Sequence, residues 1–388
     1  MPKTSQVQND NFQSIEVIQG GEGFFQRLLR LIEGSRDVIH LQYYIFNNDT
    51  TGREVQHALL NACKKGVSVN IVLDGIGSMN LPKRFRRELE EGGAKLRIFS
   101  PVKFSIPFRT GRRLHHKLAV FDQRKALVGG LNIADRYRGD ATARPWLDFA
   151  VFVEGDICKP LHELAVSILA RKPYPKIPIK KLLEKEQLGR QKVEIRLNDV
   201  FQGRREVRRG YNRALSNARQ SLTLASSYFL PKRKMIRLLC KAASRGVDTR
   251  LILPGYTDVL FYGTAVKYLY PKLLKCGVKV FEYQPTVLHA KVAVADDRWC
   301  TIGSFNLNDL SELLSVELNL EIFDEDVAKV FRQRLDDIIK QDCQEVSPDD
   351  YLNTSWLTRL KRKVFYFGIL QSIRLLHSFT EEGRGESV

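Results

Sequence analysis

Long apolar runs, a secretory leader and closely spaced cysteines are all missing from this sequence. No run reaches the roughly 18 to 20 apolar residues that a membrane-spanning helix needs. The polar stretch at residues 1–13 lacks the basic-then-apolar pattern of a secretory signal. We therefore expect a chain that neither crosses a membrane nor is exported.

Cysteine is scarce, and its six residues form no CxxC pair and no spacing typical of metal ligands. Several lie in apolar helical or strand contexts. We expect all six to be reduced core residues, which suits the cytoplasmic side of a membrane. No metal and no other cofactor is predicted. The six are Cys63, Cys158, Cys240, Cys276, Cys300 and Cys343.

Acidic residues are too few to balance the basic ones. The 62 Lys and Arg residues against 44 Asp and Glu give a net charge of +18. A basic excess of this size points to an anionic partner: nucleic acid, an anionic lipid surface or a phosphorylated substrate. With 388 residues, 43% of them hydrophobic, the chain has room for two domains with cores. Disordered and fibrous classes are excluded.

A set of polar residues occurs twice at the same spacing. The segments LHHKLAVFDQRKALVGGLN at 114–132 and LHAKVAVADDRWCTIGSFN at 288–306 share HxKxxxxD followed by GGxN or GSxN. In a strand, the two-residue spacing puts the imidazole and the ammonium on one face. The duplication predicts two half-sites rather than two core strands with incidental histidines. The candidate residues are His115, Lys117, Asp122, Asn132, His289, Lys291, Asp296, Ser304 and Asn306.

His116 lies one step out of register with Lys117 and is therefore interpreted as structural. The remaining groups suggest a reaction. Two half-sites related by a pseudo-twofold would place the two imidazoles across an anionic group, with ammonium, amide and hydroxyl groups around its oxygens. One neutral imidazole can attack phosphorus while the other, protonated, releases the leaving oxygen. This arrangement predicts phosphodiester exchange through a covalent phosphohistidine, with no metal required.

Strand and helix patterns alternate in both halves, which predicts an α/β fold. The junctions CKKGVSVNIVLDG and ASRGVDTRLILPG match at an offset of 180 residues. We expect two tandem domains with mixed, largely parallel sheets flanked by helices and one shared active site. The predicted helices are 24–32, 53–65, 211–218 and 234–245, and the predicted strands are 38–46, 67–73, 221–228 and 247–253.

Composition shifts divide the chain into a first domain at 1–172, a Pro- and Lys-rich linker at 173–192, a second domain at 193–345 and a basic, aromatic tail at 346–388. A tail helix at 364–376 would be about 20 Å long, too short for a hydrocarbon core of about 30 Å. It is predicted to lie in the membrane interface with its cations on anionic headgroups. The alternative is a helix that packs on the domain. The cations are Arg359, Lys361, Arg362 and Lys363.

The first half carries an insertion ahead of its motif. Pro101 and Pro285 lie 184 residues apart, whereas the motif histidines lie 174 apart, so ten extra residues precede His115. Planar guanidinium groups suit phosphate oxygens, which predicts contact with a substrate headgroup or lipid surface. A solvated charged face is the alternative. The arginines concerned are Arg109, Arg112 and Arg113.

The duplicated motif resembles the phospholipase D superfamily over about residues 24–323. Within it, Tyr228-Phe229-x-Pro231, RGV at 245–247 and YQPTVLHAK are similar to bacterial cardiolipin synthases of the short type, which lack an N-terminal transmembrane hairpin. The resemblance implies transfer of a phosphatidyl group from one phosphatidylglycerol to another, with release of glycerol.

The resemblance also implies roles for individual residues. His115 is expected to be the nucleophile and His289 the general acid. Asp148 in PWLDF and Glu317 in SVELN are expected to orient the imidazoles. One departure is that Gly130 stands where the second motif has Ser304.

Three rival functions remain open. A hydrolytic phospholipase D differs only in admitting water, a nuclease of the superfamily often has one motif per chain, and a membrane-binding module would need no duplicated polar set. We expect a monomer with an internal pseudo-dimer, no nucleic-acid partner, and peripheral attachment to the cytoplasmic side of a bacterial cell membrane.

Overall fold

The computed structural model describes residues 14–101, 112–175, 193–352 and 354–382. Each half of the chain contributes one sheet with helices around it. The first half contains β1 (Ser14–Gln19), α1 (Glu22–Glu33), β2 (Val38–Tyr43), α2 (Thr50–Lys64), β3 (Ser68–Asp74), α3 (Lys83–Glu91), β4 (Lys95–Phe99), β5 (Arg113–Leu114), β6 (Lys117–Phe121), β7 (Lys125–Gly129), α4 (Asp135–Arg138), β8 (Phe149–Glu154) and α5 (Cys158–Leu169).

The second half repeats this rhythm and adds a long C-terminal helix. It contains β9 (Val193–Asp199), a short 3-10 helix (Val200–Gln202), β10 (Arg204–Arg205), α6 (Glu206–Asn217), β11 (Ser221–Ser226), α7 (Arg233–Ser244), β12 (Asp248–Pro254), α8 (Tyr262–Val266), α9 (Tyr270–Lys275), β13 (Lys279–Tyr283), β14 (Lys291–Ala295), β15 (Trp299–Gly303), α10 (Asp309–Leu314), β16 (Ser315–Ile322), α11 (Glu325–Asp342), β17 (Cys343–Glu345), α12 (Pro348–Leu352) and α13 (Trp356–Glu382).

Local sequence explains why these elements form where they do. In α2, Asp49 accepts a hydrogen bond from the Gly52 N–H, and in α11 Asp324 does the same for Val327, which satisfies donors that a helix start leaves open. The central strands are buried along their whole length, so β6 and β14 read as continuous apolar runs after their lysines.

Both sheets are mixed, as predicted, but the expectation of largely parallel sheets is wrong. Among the described residues, the first sheet runs β1-β8-β7-β6-β2-β3-β4, and only β2/β3 and β3/β4 are parallel pairs. The second runs β10-β9-β16-β15-β14-β11-β12-β13-β17, with β11/β12 and β12/β13 parallel along that path. The parallel pairs are connected by crossover helices, namely α2, α3, α7 and the α8–α9 segment, whereas β6-β7 and β14-β15 are joined by tight turns and therefore form antiparallel hairpins.

Three hydrophobic clusters build a layered molecule. One lies between the first sheet and helices α1 to α3, and another between the second sheet and helices α6 to α9. The third joins the halves, because it combines residues of both sheets with α5 and α11. Phe149 of β8 and Phe331 of α11 meet there edge to face, with ring centroids 5.1 Å apart.

Backbone pairing also crosses between the halves at two related places. Strand β5 of the first half pairs in parallel with the start of β16, where the His115 N–H donates to the Val316 carbonyl at 2.9 Å. Leu288 bridges Leu147 in the same way, and the His289 N–H donates to the Leu147 carbonyl at 2.8 Å. Each motif histidine is therefore fixed by the backbone of the opposite half.

The prediction of six reduced cysteines is wrong for one pair, because a disulfide joins Cys240 of α7 to Cys276 at the end of α9. The other four are free thiols. Helices α7 and α9 pack side by side, which brings together two cysteines separated by 36 residues. Sequence spacing alone carries no signal of such a contact.

The tail helix is longer than predicted. Helix α13 has 27 residues, or about 40 Å, so the length argument for a short tail helix does not hold. Among the residues the structure describes, no helix combines the length and apolar character needed to cross a membrane. Helix α13 packs on α8 and α10 of the second half, and its Tyr366 and Ile373 are buried.

Candidate active site

The motif histidines come together at one cavity between the halves. His115 and His289 each lie two residues before a motif strand, β6 and β14 respectively, and both line a cavity of about 720 Å³. Asn132 and Asn306, which follow the hairpins β6-β7 and β14-β15, line it too. The structure thus unites the two sequence copies in a single site.

Each imidazole is held by a carboxylate from the opposite half. Glu317 of β16 lies 2.9 Å from Nδ1 of His115, and Asp148, just before β8, lies 2.6 Å from Nδ1 of His289. Both carboxylates are fully buried. Because the cross-half backbone pairs place these residues, neither half alone can assemble an oriented imidazole.

The two lysines support the histidine segments and do not line the cavity. Lys117 Nζ donates to the His115 carbonyl at 2.8 Å, and Lys291 Nζ donates to the His289 carbonyl and lies 2.9 Å from Nδ1 of His289. Both ammonium groups are buried. They fix the backbone that carries the imidazoles and, when protonated, place positive charge beside them.

The aspartates of the motif are not brought to the site, which corrects the interpretation of Asp122 and Asp296 as catalytic residues. They follow the far ends of β6 and β14, seven residues or about 23 Å of extended chain beyond the histidines. Asp122 accepts hydrogen bonds from the backbone N–H groups of residues 36–38, and Asp296 from those of residues 219–221. They anchor the starts of β2 and β11.

The amide and hydroxyl groups have definite partners. Asn132 accepts from the Ile45 N–H and bonds through its Nδ2 to Tyr137 Oη at 2.7 Å. Asn306 Oδ1 accepts from Ser227 Oγ at 2.9 Å. Ser304 Oγ does not line the cavity, because it donates to Glu317 at 2.5 Å.

The departure at Gly130 has a steric reason. A Cβ atom at Gly130 would lie 2.2 Å from Oδ1 of Asp148, so no side chain fits beside that carboxylate. In the second copy, the equivalent space holds the Ser304 hydroxyl bonded to the longer Glu317. The half-sites therefore pair glycine with aspartate and serine with glutamate.

The arginines ahead of the first motif have different surroundings. Arg113 lines the cavity, donates to the Ser100 carbonyl at 2.8 Å and pairs with Asp74 at 3.4 Å. Arg112 is instead bound to Asp199 and to Tyr174 Oη and does not line the cavity. Arg109 lies outside the described residues, so its predicted role stays a prediction.

Burial shifts the titration of the site toward uncharged forms. It lowers the pKa of His115, against the opposing pull of Glu317, and lowers that of His289 well below its usual value. It also lowers the pKa of Lys117 to about 7 and that of Lys291 to about 8. The pKa of Asp148 is raised to about 7 by the same cause. An entering phosphodiester anion would favour the cationic forms again.

Sequence reasoning missed the aromatic groups around the histidines. Tyr137 Oη lies 3.4 Å from Nε2 of His289, and the Trp146 ring lies 5.9 Å from that imidazole. Tyr44 meets His115 edge to face at 5.0 Å. Their nearness to motif residues was the available signal: Tyr137 follows Asn132 by five positions and Trp146 precedes Asp148 by two.

His116 is buried, does not line the cavity, and bonds through Nδ1 to Gln42 Oε1 at 3.0 Å. Within the described ranges, no group of three or more His, Cys, Asp or Glu residues is arranged to hold a metal ion.

Comparison with known proteins gives a consistent family. The sequence model described as "Cardiolipin synthase, PLD-like domain" matches residues 28–140 and 211–339. Cardiolipin synthase B of Escherichia coli K12 is 33% identical over 364 residues, covering 92% of this chain and 87% of the relative. The major cardiolipin synthase ClsA of Bacillus subtilis is 30% identical, covering 90% and 74% respectively.

Solved structures show the same fold at low sequence identity. Phosphatidylserine synthase of Haemophilus influenzae has a TM-score of 0.70 at 13% identity, with 94% of each chain covered. Polyphosphate kinase of Porphyromonas gingivalis has a TM-score of 0.55 at 16% identity, covering 84% of this chain and 50% of the kinase. These likenesses show that the fold is shared and nothing about the substrate.

Proposed function

Because the chain belongs to the phospholipase D-like family of cardiolipin synthases, we propose that it transfers the phosphatidyl group of one phosphatidylglycerol to a hydroxyl of another, releasing glycerol. The observation that carries the proposal is the pair of imidazoles on one cavity, each held by the opposite half's carboxylate. The cavity also has an apolar side, including Leu310 and Leu314, which suits a lipid better than a nucleic acid.

Hydrogen bonding supports His115 as the nucleophile. Its Nδ1 lies 3.0 Å from the Ser304 carbonyl and 2.9 Å from Glu317. A carbonyl oxygen can only accept, so Nδ1 carries the proton of the neutral imidazole and Nε2 keeps its lone pair. The lone pair is then available to attack phosphorus.

His289 is suited to the acid role for a different reason. Its Nδ1 lies near both Asp148 and the Lys291 Nζ, and an ammonium group has only protons to give. Nδ1 can therefore accept a proton, and Nε2 can carry one toward the cavity. Burial brings the pKa of Asp148 to about 7 and that of Lys291 to about 8, so protons can be exchanged near neutral pH.

The proposed reaction has two steps. In the first, His115 Nε2 forms a bond to phosphorus, the bond from phosphorus to the glycerol oxygen breaks, and His289 gives that oxygen a proton. In the second, a hydroxyl of the acceptor lipid attacks phosphorus, its proton passes to His289, and the phosphorus–nitrogen bond breaks. Arg113 and the asparagine amides are placed to hold phosphate oxygens.

The test is to incubate the purified protein with phosphatidylglycerol vesicles and measure all products by mass spectrometry. We expect glycerol in an amount equal to cardiolipin and phosphatidic acid together, with cardiolipin well in excess of phosphatidic acid, and undiminished activity in a chelator. Phosphatidic acid as the main product would instead identify a hydrolytic phospholipase D. Faster cleavage of single-stranded DNA than conversion of lipid would identify a nuclease.

We propose further that the outer face of α13 attaches the protein to the membrane. Exposed apolar side chains form one stripe along this face, including Trp356 at 71% and Val364 at 60% exposure. Lys361 and Lys363 are exposed on either side of the stripe, as in helices that lie in an anionic interface. The stripe also includes Leu357, Leu360, Phe367 and Leu375.

Point substitutions test this attachment better than removal of the tail, since α13 is also part of the second domain's core. Lys361→Glu with Lys363→Glu should weaken binding to anionic vesicles, by about 1 kcal/mol for each cation lost. Val364→Asp should weaken it further. Val330→Asp, on the exposed face of α11, is the matched control and should bind like the unaltered protein. Equal flotation of all four proteins with vesicles would place the attachment elsewhere.

Attachment at the cytoplasmic side, as a monomer, remains part of the proposal. On that side thiols are kept reduced, so the Cys240–Cys276 disulfide of the structure should be found opened to two thiols when cells are lysed directly into an alkylating agent. Failure of both cysteines to react with the alkylating agent would favour attachment at the opposite side of the membrane. Sedimentation equilibrium of the purified protein tests the monomer.

A further inference from the structure

The inner face of α13 contributes to the active-site cavity. Ile369 and Ile373 are among its lining residues, and Ile373 is only 8% exposed. Helix α13 lies outside the two ranges matched by the family model, and every polar group that holds the imidazoles comes from residues 115–317. The helix is thus unnecessary for assembling the reactive groups, yet it closes part of the space in front of them.

Aromatic contacts fix the helix in this position. Phe365 stacks on Phe261 with ring centroids 4.6 Å apart and planes within 13°, and Tyr366 lies 4.7 Å from Tyr268 by ring centroid. The neighbours α8 and α10 contribute Tyr262, Leu310 and Leu314 to the same cavity. Two isoleucines of α13 therefore complete an apolar wall of the cavity that both histidines also line.

We propose that this wall, through Ile369 and Ile373, determines whether the phosphohistidine is resolved by a lipid hydroxyl or by water. The inference rests on the proposed function and concerns its second step. Either acceptor forms the new phosphorus–oxygen bond, gives its proton to His289 and displaces His115. The lipid hydroxyl yields cardiolipin, and water yields phosphatidic acid.

The physical reason is competition for one intermediate. Bulk water greatly outnumbers lipid hydroxyls, so transfer requires that water near the phosphorus be sparse. Apolar side chains offer water no hydrogen-bond partner, and a site of this kind holds water poorly. A polar side chain in the wall would provide partners and admit water, without touching the reacting atoms.

The experiment measures how the intermediate partitions. Ile373→Asn and Ile369→Asn are compared with the conservative Ile373→Leu and with Val330→Asn, which makes a comparable change on an exposed helical face. Phosphatidylglycerol is supplied in mixed micelles, so that membrane attachment does not limit the rate. The buffer is prepared in H₂¹⁸O, so that hydrolysis labels the product. Glycerol reports the first step, and the ratio of ¹⁸O-labelled phosphatidic acid to cardiolipin reports the second.

We expect either asparagine variant to raise that ratio at least about tenfold, a change of about 1.4 kcal/mol in relative barrier, while glycerol release stays within a few-fold. Ile373→Leu and Val330→Asn should keep the original ratio. Thermal melts identify any variant that fails to fold, and the other asparagine variant then carries the test.

The contradictory outcomes are distinct. An unchanged ratio in folded asparagine variants, with or without slower glycerol release, would overturn the inference and leave cardiolipin synthesis intact, since the wall would then only bind acyl chains. An unaltered protein that releases no glycerol, or makes only phosphatidic acid, would overturn the proposed function and the inference with it.

Discussion

The two half-sites repeat one plan but surround their imidazoles differently. His115 has a carbonyl and a carboxylate at Nδ1, from Ser304 and Glu317, and Tyr44 packs edge to face against its ring. Its side chain is 12% exposed. All of its partners at Nδ1 are acceptors, so its neutral form has one well-defined tautomer.

His289 is enclosed more completely, and its Nδ1 faces both Asp148 and an ammonium group. Three aromatic rings surround it, with centroids at 5.2, 5.9 and 6.3 Å, from Tyr137, Trp146 and Tyr228. Its pKa is lowered well below the usual value by burial, then by the charges of Lys291 and Lys117. The duplication therefore gives two similar histidine segments, and their different surroundings suit the two imidazoles to different steps of the reaction.

The largest expected effect comes from removing either imidazole. His115→Ala and His289→Ala should each reduce cardiolipin synthesis by at least about 10⁴-fold, because each imidazole has an indispensable step. A phosphatidyl ester with a p-nitrophenol leaving group separates them. It needs no acid, so His289→Ala should still release nitrophenol in a burst and accumulate phosphohistidine, whereas His115→Ala should not.

His116→Gln is the control for this pair, since it alters a buried imidazole outside the cavity, and it should keep most of the activity. A nitrophenol burst in His115→Ala, together with its loss in His289→Ala, would reverse the two roles.

The next largest loss of activity is expected from changing the two carboxylates that orient the imidazoles. Glu317→Gln and Asp148→Asn should each lower turnover by about 10²-fold to 10⁴-fold, because an amide no longer selects the required proton position on the imidazole. With the activated ester, Glu317→Gln should remain slow while Asp148→Asn recovers. Glu321→Gln, which alters another buried carboxylate paired with Arg196, should affect stability more than turnover. Equal recovery of both site variants would contradict the separation of tasks.

The buried lysines should make stability depend on pH. The pKa of Lys117 is about 7 in the folded protein and about 10.4 in an unfolded chain, so between these values the unfolded state binds more protons. The free energy of unfolding should therefore rise with pH across this window, at up to about 1.4 kcal/mol per unit. The Lys117→Met variant lacks this contribution.

Denaturant titrations between pH 7 and about 10 measure the difference. The unaltered protein should gain a few kcal/mol relative to Lys117→Met over that range, and the gain relative to Lys291→Met should be smaller, because the pKa of Lys291 is about 8. A difference that does not change with pH would show that the folded protein holds the Lys117 ammonium as readily as water does.

The smallest effect should come from forcing the half-sites to match. Gly130→Ser would bring a Cβ within 2.2 Å of Asp148, and the strain should lower the free energy of unfolding by about 1–3 kcal/mol and reduce turnover. Gly23→Ser is the control, because a Cβ there meets nothing within 4 Å. An unchanged melt for Gly130→Ser would mean that Asp148 can move freely, against the fixed geometry described above.

Much of this fold was predictable because its local patterns agree with its tertiary structure. The strand predicted at 67–73 is Ser68–Asp74 and the helix predicted at 234–245 is Arg233–Ser244. The pairing of the motif strands was not predictable from the same patterns, since apolar runs look alike in parallel and antiparallel neighbours. The candidate histidines and the two carboxylates were identified by motif, but which carboxylate serves which imidazole depends on contacts between distant residues.

Other parts of the site depended on information that spacing does not contain. Asp122 and Asp296 share the motif with the histidines, and only the length of the intervening strand shows that they act at its opposite end. The contribution of Ile369 and Ile373 to the cavity depends on how α13 docks, and a hydrophobic pattern gives the apolar faces of a helix without saying which one meets the domain.

The crossed support of the imidazoles has a consequence for the newly made protein. On the ribosome, His115 emerges long before Glu317, and Asp148 long before His289. A nascent first half therefore has a histidine without its carboxylate and a carboxylate without its histidine. An enzyme able to break lipid phosphodiesters would be inert during synthesis and would become active only when the second half folds against the first.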